Sequence, residues 1–183
     1  MSRSGLVEDD GDDPLAHGRW RGAVKSAING KRGQQFLREL ADALDAMPEK
    51  LLVAGELQAE NGCHCTLGVI GQKRGLDVAT MDIDDYDAIA ASLDVNAKIA
   101  QEIMWENDDA FDEWEWVDVV ICGPMRPRAY TDDYRDEKHE RTVRVTKPDA
   151  EHKRWLHMRA WVKSHLKPET DSAPQSQQLQ VTN

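Results

Sequence analysis

The sequence predicts an α+β fold, in which a helix pair, a β-hairpin, further helices, two later strands and a C-terminal amphipathic helix follow one another. Three observations support this prediction. Apolar residues recur at helical spacing in six stretches, an Asn-Gly pair interrupts one extended stretch, and two later stretches are rich in Val and Trp. The helices and strands do not alternate in the βαβ order of a parallel sheet, which favours α+β over α/β.

The ordered part of the chain is predicted to begin with two helices. Trp20, Val24 and Ile28 lie four residues apart and predict a helix near residues 19–28, which Asn29-Gly30 ends. A second helix is predicted from about residue 32 to residue 47, with Pro48 closing it. Its apolar stripe consists of Phe36, Leu37, Leu40, Ala41, Leu44 and Met47.

The next stretch, KLLVAGELQAENGCHCTLG, predicts strand, tight turn and strand. Asn61-Gly62 is a favoured pair for a two-residue type I′ turn, because both positions need positive φ. A short helix is predicted to open at Thr66 and to close at Gly75, with the apolar Leu76 after the glycine cap. Gly68 and Gly71 lie three residues apart, so one face of this helix is bare backbone that can pack closely on a neighbour.

Two more helices, two strands and a last helix complete the prediction. Helical spacing of apolar residues covers 82–93 and 96–108, and EWEWVDVVICGPMRP then predicts a strand that Gly123-Pro124 ends. RTVRV predicts a second strand, of alternating type. The last helix is predicted to open at Thr146, in a Thr-x-x-Asp capping pattern with Asp149, and to run to about Leu166. Its apolar stripe consists of Trp155, Met158, Val162 and Leu166.

Composition divides the 183 residues into three parts. Residues 1–17 are rich in acids and glycine and predict a disordered leader. Residues 18–167 predict a single α+β domain, which is long enough to bury a core without disulfides. Residues 168–183 are polar and predict a disordered tail. The beginning of the chain lacks the apolar stretch of a signal peptide, and no apolar run approaches a membrane span, so a soluble, cytoplasmic protein is expected.

The net charge of −11 is concentrated in the middle of the chain. Residues 76–118 hold fourteen acids against the single Lys98, a net charge of −13. Such a field attracts basic partners, and a row of carboxylates can imitate the phosphates of DNA. The sequence therefore predicts a partner-binding acidic surface, although a solvated face without a partner would carry the same charges. Its predicted residues are Asp82, Asp84, Asp85, Asp87, Glu106, Asp108, Asp109, Asp112, Glu113 and Glu115, with Trp105, Trp114 and Trp116 as candidate apolar anchors.

A nucleic-acid-binding module is the alternative function. Residues 14–38 contain six basic residues and no acid, and two helices joined by a short glycine-containing turn have the outline of a helix-turn-helix. A solvated basic face that pairs with the acidic middle explains the same pattern. The candidate contacts to nucleic acid are Arg19, Arg21, Lys25, Lys31 and Arg32.

The segment Cys63-His64-Cys65 is the candidate metal site. Zinc needs four ligands, usually from two separated pairs, and the only cysteine besides Cys63 and Cys65 is Cys122. A hairpin would also turn His64 away from the two thiols. We therefore expect Cys63 and Cys65 to be buried as small apolar residues, with no metal and no cofactor.

The sequence contains no recognisable catalytic arrangement. Gly-x-Ser-x-Gly, His-Glu-x-x-His and the Rossmann and Walker glycine patterns are all missing, which favours a non-enzymatic protein. The loop CGPMRPR is an alternative anion-binding site, because two prolines stiffen a segment that displays Arg126 and Arg128. These guanidinium groups could equally pair with carboxylates of the same chain.

Several segments together resemble a group of small proteins of unestablished activity that are encoded in phage and prophage genomes. They are AINGKRGQQFLRELADALDAMPEK, CTLGVIGQKRGLD, EIMWEND, VVICGPMRP and RWLHMRAWV, and they cover most of residues 19–166. The Cys-x-Leu-Gly pattern of the group matches Cys65, Leu67 and Gly68. The resemblance implies a phage or prophage origin and a location in the host cytoplasm. We thus expect a phage accessory protein that binds a host or phage protein, with inhibition by DNA mimicry as the narrower form of this hypothesis.

Overall fold

The structure, a computed structural model, describes residues 15–120 and 140–168. These residues form an α+β fold that is mostly helical, so the predicted class is confirmed. The predicted leader and tail lie almost entirely outside the described residues, and the first helix begins at Ala16, within the predicted leader. The elements are α1 (Ala16–Asn29), α2 (Lys31–Ala46), α3 (Thr66–Lys73), a 3₁₀ helix (Val78–Thr80), α4 (Tyr86–Ser92), α5 (Ala97–Asp108), β1 (Trp114–Val120), β2 (Glu140–Thr146) and α6 (Ala150–His165).

Helix α2 is the centre of the core. Its predicted stripe is buried at Phe36, Leu37, Leu40 and Leu44, and the helix packs against α1, α3 and α6. Only one residue, Gly30, separates α1 from α2. This connection is shorter than the three- or four-residue turn of a helix-turn-helix.

The predicted β-hairpin is not formed as a pair of regular strands. Residues 47–65 are irregular, with a single antiparallel bridge between Gln58 and His64. In the turn between these residues φ is positive at Gly62 (83°) but not at Asn61. The type I′ prediction is therefore wrong. The N–H of Gly62 donates to the carbonyl of Ala59, which gives a three-residue loop that needs only one left-handed residue.

Helices provide the hydrogen bonds that a second strand would have made. The N–H of Leu52 donates to the carbonyl of Glu151 (3.1 Å), and the Leu52 carbonyl accepts from Arg154 Nη1 (2.9 Å). The Val53 carbonyl accepts from Asn107 Nδ2 (2.9 Å). Because α5 and α6 satisfy this backbone, the segment stays extended without joining a sheet.

Helix α3 has the predicted position and the predicted close contacts. A Cβ at Gly68 would overlap the carbonyl oxygen of Leu57, and a Cβ at Gly71 would overlap the side chain of Val78. Gly75 has φ of 72°, its N–H donates to Gln72, and the N–H of Leu76 donates to the carbonyl of Gly71. This is the Schellman ending expected of a glycine-capped helix.

Helix α6 begins later than predicted. Thr146 belongs to β2, and Asp149 is the residue before the helix, with φ of 58° and no side-chain cap hydrogen bond. The Thr-x-x-Asp capping prediction is therefore wrong. Met158 and Val162 of the predicted stripe are fully buried, which confirms the face by which α6 enters the core.

Buried polar side chains hold α6 in place. Arg154 is 2% exposed and donates to the carbonyls of Asn107 (3.0 Å) and Leu52 as well as to Glu113. Near the other end of the helix, the carboxamide of Gln34 donates to the carbonyls of Ile28 and His165 (both 2.9 Å) and accepts from the N–H of Lys167 (2.8 Å). Gln34 thus joins the ends of α1 and α6 to the first turn of α2.

Strands β1 and β2 form a two-stranded antiparallel ribbon. Its register runs from the pair Trp114–Thr146 to the pair Val120–Glu140. The strands contact one another far more than they contact any described helix. Within the described residues, no helix is both long enough and apolar enough to cross a membrane.

Candidate functional site

The cysteine and histidine segment lies at the start of α3. Cys65 is buried, Cys63 is half-buried, and His64, predicted to face away from the thiols, is also buried. Burial raises the pKa of the Cys63 thiol and lowers the pKa of His64, so both groups favour their neutral forms. In residues 15–120 and 140–168, no group of three or more His, Cys, Asp or Glu side chains is arranged to hold a metal ion.

The first four residues of the predicted acidic surface lie together before and within the first turn of α4. Asp82, Asp84, Asp85 and Asp87 are all exposed. Asp85 accepts a hydrogen bond from the N–H of Ala88 and so caps the helix, and Asp82 accepts from the N–H of Asp84. No ion pair joins these four carboxylates to a basic side chain of the described residues, so their charge is directed to solvent.

Several later acids are bound by the protein's own side chains. Glu106 lies 3.0 Å from His157 Nε2, and Asp112 lies 3.0 Å from Lys147 Nζ. The Lys147 ammonium, with the N–H of Trp114, lowers the pKa of Asp112.

The remaining predicted acids also include both side chains that are bound within the protein and side chains that are exposed. Glu113 pairs with the buried Arg154, and Asp108 Oδ1 accepts from the N–H of Gly55 (3.2 Å). Asp109 and Glu115 are exposed. The predicted surface is thus split between exposed carboxylates and carboxylates that pair within the protein.

The three candidate anchor tryptophans differ in exposure. Trp105 is half-buried and meets the ring of Trp20 edge-on. Trp114 is half-buried under the guanidinium of Arg144, which lies 4.4 Å from its ring centre. Trp116 is 71% exposed. Of the three, Trp116 is the one whose ring is available to a partner.

The register of the ribbon defines its two sides. Alternation places Trp114, Trp116 and Asp118 on one side, where Thr142 donates to Asp118 (2.7 Å). The opposite side carries four valines, of which the two on β1 are exposed and the two on β2 half-buried. They are Val117, Val119, Val143 and Val145. The Trp116 side also carries Arg144 and two threonines, so the valine side is the more apolar of the two.

The basic residues of the nucleic-acid alternative do not form one free surface. The guanidinium of Arg21 lies 4.6 Å from the ring centre of Trp20 and 5.3 Å from that of Trp105, and its Nη1 lies 3.3 Å from Glu102. Arg21 is therefore engaged within the protein. Arg19, Lys25, Lys31 and Arg32 are exposed. Arg126 and Arg128, the alternative anion site, lie outside the described residues.

The sequence analysis did not single out Glu102 or the cavity beside it. Glu102 is 3% exposed and lines a cavity of about 500 Å³ between α1, α5 and the end of α6. Burial, with the neighbouring Glu106, raises the pKa of Glu102 to about 7, although Arg21 acts in the opposite direction. Its Oε1 faces Arg21, while its buried Oε2 has no hydrogen-bond partner in the structure. A carboxyl group so placed is typical of binding and catalytic sites. The sequence contained one signal, an acid between the apolar Ile99 and Ile103 positions of α5.

Comparison of this chain with models of known protein families, with curated proteins and with solved structures finds no match.

Proposed function

We propose that this protein acts by binding another protein, and that the ribbon carrying Trp116 is the centre of the contact. The exposure of Trp116 is the observation that supports this proposal most strongly. Large aromatic side chains are enriched among the residues that dominate protein interfaces. In the described part of the chain, three of the five exposed large apolar side chains lie on β1, namely Trp116, Val117 and Val119.

The ribbon is also short of internal partners. An isolated two-stranded ribbon is only marginally stable in water, and three or more strands or a packed helix are usually needed. A partner that covered the valine side or the Trp116 side would supply the missing apolar contact. Binding would thereby stabilise the ribbon itself.

The charges near Trp116 favour a basic partner. Asp118 lies on the same side of β1 as Trp116, Glu115 lies on the valine side, and both are exposed. The exposed aspartates at α4 add a second acidic group on the surface. Rim charges of this kind mainly speed association and select the partner.

The resemblance to small phage-encoded proteins supports a host or phage protein as the partner and the host cytoplasm as the setting. DNA mimicry is the narrower form of the proposal. It would depend on the solvent-directed Asp82, Asp84, Asp85 and Asp87, because Glu106, Asp112 and Glu113 are paired within the protein.

The test is affinity capture from nuclease-treated bacterial lysate with the full chain and three single variants. Trp116→Ala and Asp118→Lys change the Trp116 side of the ribbon, and Leu156→Ala changes a side chain that is 49% exposed on α6. We expect a captured protein that is lost with Trp116→Ala and Asp118→Lys but kept with Leu156→Ala. The affinity for the purified partner should fall at least about tenfold with Trp116→Ala, and it should weaken as salt rises.

Equal affinity of the wild type and Trp116→Ala for that partner would overturn the ribbon as the contact. A gel-shift titration of duplex DNA at low salt tests the alternative function, nucleic-acid binding. Salt-sensitive retention that Lys31→Gln and Arg32→Gln abolish would favour the nucleic-acid-binding module instead.

A further inference from the structure

The cavity beside Glu102 is positively charged in a protein whose net charge is −11. Arg21 and Lys25 from α1 and Lys167 from beyond α6 line it, against the single carboxylate of Glu102. Lys167 Nζ donates to the carbonyl of Asn29 (2.9 Å), which holds the segment after α6 at the cavity wall.

We infer that this cavity binds a small organic anion. The anionic group would lie among Arg21, Lys25 and Lys167. The apolar part of the ligand would lie against Val24 and Ile28, which also line the cavity. The site is separate from the ribbon and does not depend on the protein-binding proposal.

The shape of the cavity suits such a ligand. A volume of about 500 Å³ lies within the range of small-molecule sites. Such sites are mostly apolar, with a few polar groups that fix orientation. Gln34 stabilises the wall, because its carboxamide holds the carbonyl of His165 and the N–H of Lys167. The wall is therefore built by buried contacts rather than by exposed side chains alone.

Glu102 determines how the cavity responds to an anion. Its Oε2 is buried from solvent and has no hydrogen-bond partner among the described residues, which favours the protonated carboxyl group. In its protonated form, Glu102 does not repel an anion. In its ionised form, it would repel the anion and compete for Arg21.

The charged and titratable groups around Glu102 determine how binding depends on pH. They are Arg21 and Lys25 from α1, Glu106 from α5, and His165 and Lys167 from the end of α6. Because the pKa of Glu102 is about 7, a rise in pH across neutrality adds a negative charge beside the proposed ligand. Anion binding should therefore weaken as pH rises, and the bound anion should in turn favour the protonated form.

The test is isothermal titration calorimetry of the full chain with benzoate and with phenyl phosphate at pH 6 and pH 8. Benzylamine is the matched cation and inorganic phosphate the matched anion without an apolar body. We expect both aromatic anions to bind and benzylamine not to bind. Tighter binding of phenyl phosphate would assign the site to phosphate esters, and tighter binding of benzoate would assign it to carboxylates. Equal or tighter binding of inorganic phosphate would contradict the proposed apolar contact.

Variants connect the binding to the cavity. Lys25→Gln and Lys167→Gln should each weaken aromatic anion binding about tenfold, whereas Lys31→Gln, at the exposed start of α2, should not change it. Between pH 6 and pH 8 the affinity of the wild type should fall about tenfold. For benzoate, which keeps one charge over this range, the decrease should be smaller in Glu102→Gln than in the wild type.

Binding of benzylamine as tight as benzoate, or no binding of either aromatic anion, would overturn the inference. Lys31→Gln weakening binding as much as Lys25→Gln would also overturn it, because the anion would then lie elsewhere. A decrease in benzoate affinity with pH that is as large in Glu102→Gln as in the wild type would remove Glu102 from the site.

Discussion

Asn107 caps α3 from 41 residues away: its Oδ1 accepts hydrogen bonds from the N–H (3.2 Å) and from the hydroxyl (2.8 Å) of Thr66. Cys65, the residue before α3, provides no side-chain cap. The Nδ2 of Asn107 donates to the carbonyl of Val53. One buried carboxamide thus joins α5, α3 and the irregular segment before α3.

Replacing Asn107 with Leu should lower the free energy of unfolding by about 2–4 kcal/mol, because buried donors and an acceptor lose their partner. The matched control is Asn96→Ala, which removes the exposed cap of α5 and should cost about 1 kcal/mol. Urea unfolding followed by circular dichroism measures both. Equal losses would show that the buried network contributes no more than an ordinary helix cap.

The buried Arg154 should be far more important for stability than the partly exposed Arg159. Arg154→Met should cost about 3–5 kcal/mol, since Glu113 and two backbone carbonyls lose a buried cation. Arg159→Met breaks a pair with Asp45 near the surface and should cost at most about 1 kcal/mol. Chemical denaturation of the two variants gives the comparison, and similar midpoints would contradict it.

Two glycine substitutions should have opposite effects on stability. Gly68→Ala would force a methyl group against the carbonyl of Leu57 and should destabilise the protein by about 1–3 kcal/mol. Gly22 lies within α1 with open space at its Cβ position, so Gly22→Ala should stabilise by about 0.5–1 kcal/mol. Thermal unfolding of both variants tests the signs. A Tm for Gly68→Ala at or above that of the wild type would show that α3 does not approach Leu57 so closely.

Glu102 should make stability depend on pH. Its pKa in the folded protein, about 7, lies above the ordinary value of 4.5 because of burial. Between these values the folded state holds a proton that the unfolded state has released, so the free energy of unfolding falls as pH rises from about 4.5 to about 7. The full loss is about 3–3.5 kcal/mol.

Comparison with Glu102→Gln isolates this contribution, because the other titrating groups are common to both proteins. Urea unfolding at pH 5, 6, 7 and 8 should show a difference between the two proteins that grows with pH and levels off above pH 7. Curves that stay parallel across this range would contradict a raised pKa for Glu102.

Trp116→Ala should change the free energy of unfolding by less than about 0.5 kcal/mol, since surface side chains away from caps and networks contribute little. Trp161→Ala, at a buried position on α6, should cost about 3–5 kcal/mol. Denaturant midpoints give both values. A large loss for Trp116→Ala would mean that the ring supports the fold, and its exposure would then no longer favour a binding role.

Most of the helices could be predicted from the sequence because the residues that define each helix lie close together in the chain. The apolar stripe of α2 and the glycine ending of α3 each lie within a few residues. The stretch 50–65 was predicted as strand, turn and strand because the residues that bind its backbone are distant in the sequence. Arg154 and Asn107 come from distant helices, and they bind its backbone where a second strand was expected.

The candidate sites were predicted less completely. Net charge located the exposed aspartates at α4, but it could not show that Glu106, Asp112 and Glu113 find partners within the chain. Glu102 was not predicted as a site residue because a single acid in a charged stretch resembles a surface residue. Its burial depends on how α1 and α6 pack around α5, and no pattern of neighbouring residues in the sequence predicts that packing.

The hydrogen bond from Gln34 to the carbonyl of His165 spans 131 positions of the chain. During synthesis, almost the entire remainder of the polypeptide must therefore be made before the Gln34 side chain can bind its acceptor. The apolar surface of α2 that α6 covers stays open to water for the same interval. A nascent chain that pauses before α6 is made would thus present that surface to chaperones or to other nascent chains.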